Sequence, residues 1–430
     1  MVSRLCPGPR PGSEAFLLKN KHVLTPVFSL ALTSLLTLAA CAPRTGPVQQ
    51  APVRFSRAAV ETSARKSGLN AAFYYAMDDY NGGTLRGAKY LHWQLAQVKS
   101  NSRLRLFLSA DSDEKNDGIW SRVHHQQAWM GQGFEQRGEL DTGRTPALRD
   151  FLSWMSRETP AKNTFVTLSS HGGGYRGIMY DYDGTVNGPH ENLSLKQTFK
   201  ALGKGFQGGR LDGLHLAACM MATIEVADAL KSVTQVLSAS EDFSFGGSTP
   251  WEYILDQHHS TQNMERLIHD TVQTPFTRGA FAKQDLSQTW SAIRLNQDFE
   301  RLVKSVDRLA KALIVAMPTE SQSIRQATKA TSMFAAMQRW SADYGDYYQR
   351  DLVDFCEQLL RHSQNPHIRE DAQAVIAGVK KIVVSEAHTP DQTMAHGLAI
   401  YLPVNGNMDP AYRDSLFARR TRWDEFLALL

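Results

Sequence analysis

Two residues in this sequence have types and settings that could do covalent chemistry. His171 opens "HGGGYRG" directly after the apolar run "TFVTLSS", and Cys219 ends "LDGLHLAAC" 48 positions later. A thiol attacks a carbonyl carbon as thiolate, and a neighbouring imidazole can take and return the proton. Both residues end runs that predict β-strands, and reactive groups in open parallel sheets collect beyond the carboxyl ends of strands. Gly172 would let its backbone N–H reach a developing oxyanion, with the Cys219 N–H as second donor. On this reading the glycines make room for a reacting carbonyl beside the base. Cys219 also reads as the first residue of a helix through "MMATIEVADALKS", whose unpaired N–H groups would favour a thiolate.

The elements that must hold this pair alternate between strands and helices. "LNAAFYYAM", "RLRLFLSA", "TFVTLSS", "LDGLHLAAC" and "TQVLSAS" are short apolar runs that predict strands. Between them "LRGAKYLHWQLAQVK" has helical spacing, and "TPALRDFLSWMSRETP" predicts a helix with Thr145 as cap, Pro146 in its first turn and Leu148, Phe151, Leu152 and Met155 on one face. That alternation predicts an α/β fold, a mainly parallel sheet covered on both faces. From Asn296 to about residue 390 the pattern becomes a series of amphipathic helices, "DFERLVKSVDRLAKALIVAM", "SIRQATKATSMFAAMQRWSADY", "DLVDFCEQLLRHS" and "EDAQAVIAGVKKIVVS". A closing strand, "HGLAIYLP" (His396–Pro403), and a terminal segment follow. The resulting division is a core of 67–295, a helical region of 296–390 and a closing segment of 391–430.

The 430 residues carry 42% hydrophobic and 21% charged side chains and a net charge of +4, an ordinary folded composition. No dense basic run is interleaved with aromatics, so nothing points to nucleic acid. Lys19 and Lys21 precede an apolar stretch from Val23 to Ala40 that ends in small residues, the pattern of a secretory signal over 1–40. Pro26 and the short run argue against a membrane span. Leu38-Ala39-Ala40-Cys41 resembles a bacterial lipobox. That resemblance implies cleavage before Cys41, acylation of Cys41, a polar linker over 41–66 and a lipid anchor in the cell envelope. Ala42 after the cysteine implies the outer membrane where the organism has two membranes. Such processing leaves Cys219 and Cys356, too few for a disulfide framework. Cys356 sits on the apolar face of a predicted helix and reads as core.

"TFVTLSSHGGGYRG" and "LDGLHLAACMMATIEVADAL" resemble the histidine and cysteine segments of the clostripain family of cysteine peptidases, in the caspase–gingipain clan. "YYAMDDYNGG", "ALRDFLSWM" and "HGLAIYLP" resemble its opening strand and loop, the helix before the histidine strand and its closing strand. These matches run in order over about residues 68–430. The resemblance implies a caspase-like α/β/α sandwich for the core, a His171–Cys219 dyad, peptide or protein substrates and, by the family's default, cleavage after Arg or Lys. One departure bears on the last point. The family commonly carries Asp two residues before the cysteine, where this chain has Ala217. Glu241 and Asp242, in "SASEDFSFGG", are the residues that could supply the missing pocket charge.

No cofactor is required by this reading. Calcium is the metal the acidic loops could hold, through Asp111, Asp113 and Asp117 or through Asp181 and Asp183, although neither loop has EF-hand spacing. The pairs His124-His125 and His258-His259 lack zinc-ligand spacing. Two other readings remain. His-Gly-Gly-Gly also builds the oxyanion hole of serine esterases, but no Gly-x-Ser-x-Gly elbow accompanies it. A non-catalytic binding lipoprotein could keep the same fold.

Overall fold

A computed structural model describes residues 67–76, 84–99, 102–112, 116–159, 161–181, 191–206, 209–244, 249–258, 263–279, 287–344, 348–404 and 407–430. The signal, Cys41, the linker, the loop after the first strand, Asp113, Asp183 and His259 lie outside them.

Five parallel strands form the middle of a nine-stranded sheet. They are β1 (Ser67–Ala76), β2 (Leu104–Asp111), β5 (Ala161–Ser169), β8 (Gly213–Ala217) and β9 (Val236–Ala239). The antiparallel strands β3 (Gly118–Val123) and β4 (Phe134–Gly138) extend one edge. At the other edge β10 (Thr289–Arg294) and β12 (Val383–His388) are likewise antiparallel. The full order is β12-β10-β9-β8-β5-β1-β2-β3-β4, and β6 (Ile178–Asp181) pairs antiparallel with β7 (Glu191–Leu193) in a separate two-stranded sheet.

Alternate residues of one strand supply two cores. In β5, Val166 and Leu168 join Leu214 and Leu216 of β8 on one face. Phe165 points the other way, into a cluster with Phe73, Leu106 and Trp251. The second face is covered by α1 (Thr84–Gln97), α5 (Trp251–His258) and α6 (Met264–Thr277). The first is covered by α2 (Thr145–Glu158), α3 (Leu195–Gly205) and α4 (Ile224–Leu230), joined by the long α7 (Gln297–Ala330). A strand buried on both sides must be apolar at nearly every position, which explains why these runs do not alternate. In α2 the face formed by Leu148, Phe151, Leu152 and Met155 is buried as its spacing predicts. Thr145 is its first helical residue rather than its cap, and Arg144 holds the cap position.

Three expectations change. The first two helices expected after Asn296 are largely one, since α7 runs for 34 residues and only bends at Glu320, two residues past Pro318. "IVVSEAH" leaves the helical pattern, so that α10 (Pro366–Ile382) ends and the β-branched pair Val383-Val384 opens edge strand β12. The closing strand is short, β13 (Ala399–Tyr401), and pairs antiparallel with β11 (Gln349–Asp351) outside the main sheet. It also bridges Thr223, just past β8. Between α7 and α10 lie α8 (Ala335–Tyr344) and α9 (Leu352–His362), and in α9 Cys356 is fully buried with its thiol pushed up by burial.

Candidate active site

Strand register sets the site. β5 and β8 are parallel neighbours, with Ser169 opposite Ala217. His171 and Cys219 each lie two residues beyond that pair, so both residues follow the ends of adjacent parallel strands. Both are largely buried, at 9% and 7% exposed.

The glycine loop folds tightly on itself. Gly173 N–H donates to the Gly177 carbonyl at 2.9 Å, Gly172 bridges Ile178, and Gly174 (φ +59°) turns the chain between them. A Cβ on Gly172 would lie 2.4 Å from the Cys219 carbonyl oxygen, and one on Gly174 3.3 Å from that of Met220. The space beside these glycines is thus filled by the cysteine loop, through the Cys219 and Met220 carbonyls and the Ala218 and Met221 side chains, and beside Gly174 also by the Gln349 side chain.

The cysteine does not begin a helix. Met220 adopts a left-handed conformation (φ +59°), and its N–H donates to the Asp242 carbonyl at 3.0 Å. Ala222 N–H donates to the Ser240 carbonyl at 2.8 Å. These amides continue the pairing of β8 with the chain after β9, so α4 starts only at Ile224 behind its cap Thr223. Ser244 meets the sulfur with both its backbone groups: its N–H lies 3.4 Å from Sγ, and its carbonyl oxygen lies 3.7 Å away, where the thiol donates to it. Cys219 packs in one apolar cluster with Met220, Phe243, Phe334, Met337 and Ala399.

Glu241 and Asp242 follow β9 immediately behind the cysteine loop, at 1% and 0% exposed. Both oxygens of Asp242 are engaged. One accepts from Phe243 N–H (2.7 Å) and Met337 N–H (3.1 Å), the other from Ala336 N–H (2.9 Å) and the Gln392 amide. Burial pushes this carboxyl up to about 6 against the pull of those donors. Glu241 accepts from Gly397 N–H at 2.9 Å, and burial with Asp351 nearby holds its carboxyl well above the usual range. Asp351 in turn binds His396 through its N–H (2.8 Å) and Nδ1 (2.9 Å), which raises the imidazole to about 9. The acidic pair thus binds α8 and the turn before β13 to the rear of the cysteine loop, and it does not stand open at a pocket.

Ser244, Asp351, Gln392 and His396 were not singled out from the sequence. A signal for the Asp242 contact was available. "SMFAAMQRW" starts a helix with Phe334 at the cap position, and a helix lacking a cap of its own takes one from elsewhere.

The acidic loops do other work. Asp117 closes its turn by accepting from the Ser112 N–H (3.2 Å) and hydroxyl, and Asp181 accepts from Thr142 and Gly143, both at 3.2 Å. Among the described residues no group of three or more His, Cys, Asp or Glu could hold a metal ion, and no helix is long and apolar enough to cross a membrane. His124 N–H caps onto Gln127, and His258 bonds Asp270 at 2.9 Å.

Comparison with known proteins adds to this geometry. The sequence profile of the clostripain family matches residues 95–429. The fold is similar to that of a secreted C11 cysteine protease from Bacteroides thetaiotaomicron solved with an irreversible peptide inhibitor, with TM-score 0.61 and 13% identity over 84% of this chain and 100% of that one. It is also similar to an inactive zymogen C11 protease from Parabacteroides distasonis, with TM-score 0.58 and 16% identity over 82% and 98% of the two chains. At such identities the likeness speaks for the fold. A comparison with curated proteins gave no match.

Proposed function

The chain belongs to the clostripain family of cysteine peptidases, and from that premise we propose that it hydrolyses peptide bonds with Cys219 as nucleophile and His171 as its base. The observation that carries this reading is the β5–β8 register, which sets both residues two positions beyond paired strand ends. The His171 imidazole takes the Sγ proton, and the thiolate adds to the scissile carbonyl carbon. The N–H groups of Gly172 and Cys219 are the proposed donors to the oxyanion. The imidazolium returns the proton to the amine as the C–N bond breaks, leaving a thioester. Water, deprotonated by the same imidazole, then releases the acid and restores the thiol.

The test is turnover of a fluorogenic peptide library. Cys219→Ala and His171→Ala should each abolish cleavage while melting like the wild type, and the double variant should be no worse than either. Near-wild-type turnover by Cys219→Ala overturns the mechanism.

The family resemblance extends to Arg or Lys before the scissile bond. A buried cation needs a carboxylate, because one left unpaired costs about 3–5 kcal/mol. The four donors on Asp242 and the burial of Glu241 support a preference that does not rest on either residue. In the library profile, basic residues should then exceed uncharged ones by no more than about 10-fold in kcat/KM, or roughly 1.4 kcal/mol. A 100-fold basic preference would restore a pocket carboxylate.

We further infer that a lipid on Cys41 holds the protein to the cell envelope, and to the outer membrane where there are two. Support comes from Leu38-Ala39-Ala40-Cys41 behind a basic and apolar leader. Cys41→Ser should release the protein or block its processing, and an unmodified mature terminus by intact mass would refute the anchor.

A further inference from the structure

A groove of about 1220 Å³ begins at Gly173 and Met220, the residues that continue the histidine and cysteine loops. It runs along the start of α3 and the end of α4 to α11 (Leu416–Arg420), and Leu195, Phe199, Ala229 and Leu416 line it. Two of these large apolar side chains remain in solvent, Phe199 at 40% and Leu416 at 46% exposed. Apolar surface left open beside a catalytic loop marks a place where something else is bound.

The charges along the groove mostly satisfy one another. Arg176 pairs with Asp409 at 2.5 Å, Lys231 with Asp228 at 2.9 Å and Arg419 with Asp414 at 2.9 Å. With Lys196 the remaining lining charge, these pairs leave little demand for a charged ligand, so the groove selects mainly by apolar fit. Its occupant follows from continuity. A polypeptide that lies across Cys219 and leaves past Met220 enters the groove directly, and an extended chain advances only about 3.3 Å per residue. The groove thus lies within reach of the same substrate chain. We propose that it is a distal specificity subsite that takes one large apolar side chain of the substrate polypeptide, away from the bond that Cys219 attacks. This rests on the peptidase reading above.

The experiment uses the full-length chain and one cleavable core sequence. Phe or Leu is placed in turn at each of the six positions on either side of the scissile bond, in an otherwise Ser/Ala background. At one distal position the apolar residue should raise kcat/KM about 10- to 50-fold over the Ala peptide, mainly through KM. That gain should fall to under about 3-fold in Phe199→Ala and in Leu416→Ala. The same peptides, fluorescently labelled, are titrated against Cys219→Ala protein, so that groove binding is read even where nothing is cleaved. Tighter binding of the Phe peptide that Phe199→Ala removes supports the subsite whatever the turnover. No distal position that matters, or a gain untouched by both variants, overturns it. Concentration-dependent dimers that Phe199→Ala dissolves, with no peptide effect, would make the groove an interface between copies and also overturn the proposal.

Discussion

Gly172 and Cys219 approach so closely that a methyl group on the glycine would lie 2.4 Å from the cysteine's carbonyl oxygen. Backbone meets backbone there, and neither can rotate away. The contact couples the two strand ends more tightly than their hydrogen-bonded register alone, since any added volume must push the histidine and cysteine loops apart.

Gly172→Ala is therefore expected to reduce kcat/KM at least 100-fold and to cost about 1–3 kcal/mol of stability, measured by peptide turnover and thermal melts. Gly203→Ala is the control. Its Cβ would lie 3.6 Å from Val233 in ordinary contact within α3, and it should leave turnover unchanged while stabilising by about 0.5–1 kcal/mol. Full activity in Gly172→Ala would show that the loops separate without consequence.

Asp242 caps α8 from 94 residues away in sequence. Asp242→Ala leaves the N–H groups of Ala336 and Met337 without their acceptor in a buried place, which is expected to cost about 2–4 kcal/mol. Hydrogen exchange at those amides should rise sharply. The carboxyl also titrates. Its folded value, about 6, lies above the ordinary 3.8 because burial disfavours the charge. The stability it contributes is thus complete below about pH 4 and is lost as pH rises through 6, by roughly 2–3 kcal/mol. The gap between wild type and Asp242→Ala should accordingly be wider at pH 4.5 than at pH 7, and a gap that widens toward pH 7 would reverse the assignment.

The parallel core was legible in the sequence because strands buried on both faces need continuous apolar runs, as in Phe165–Leu168 and Leu214–Leu216. Strand ends followed from those runs, and with them the placement of His171 and Cys219. What sequence periodicity missed depends on partners far along the chain. "CMMATIEVADAL" has helical spacing throughout, yet the amides of Met220 and Ala222 find acceptors on Asp242 and Ser240 and stay out of the helix. Strand β12 continues an amphipathic helix in sequence, and only pairing with β10 marks where the helix stops. The acidic pair Glu241-Asp242 looks like open pocket chemistry until both Asp242 oxygens are seen to be held largely by α8, and Glu241 to be buried with Gly397 on one oxygen.

His215 supplies the last prediction, with the opposite dependence on pH. It lies in the middle of β8, fully buried, with Nδ1 3.2 Å from the Ser238 hydroxyl and its ring against Trp290 (centroids 4.8 Å apart) and Trp251 (5.6 Å). Burial without a carboxylate partner pushes the imidazole down to about 3, so the fold holds it neutral. The unfolded chain binds a proton near 6.5, which means that this contribution is complete above that pH and is lost as pH falls toward 3. At pH 4 the deficit reaches about 3 kcal/mol, from roughly 2.5 units at 1.36 kcal/mol each. His215→Leu cannot titrate, but it gives up the Ser238 hydrogen bond, a loss of about 1 kcal/mol. The variant should thus be slightly less stable than wild type at pH 7.5 and more stable at pH 4, by roughly 2 kcal/mol, in denaturant titrations at the two pH values. Curves that stay parallel would mean that His215 is free to protonate in the folded protein, contrary to a ring sealed between two tryptophans.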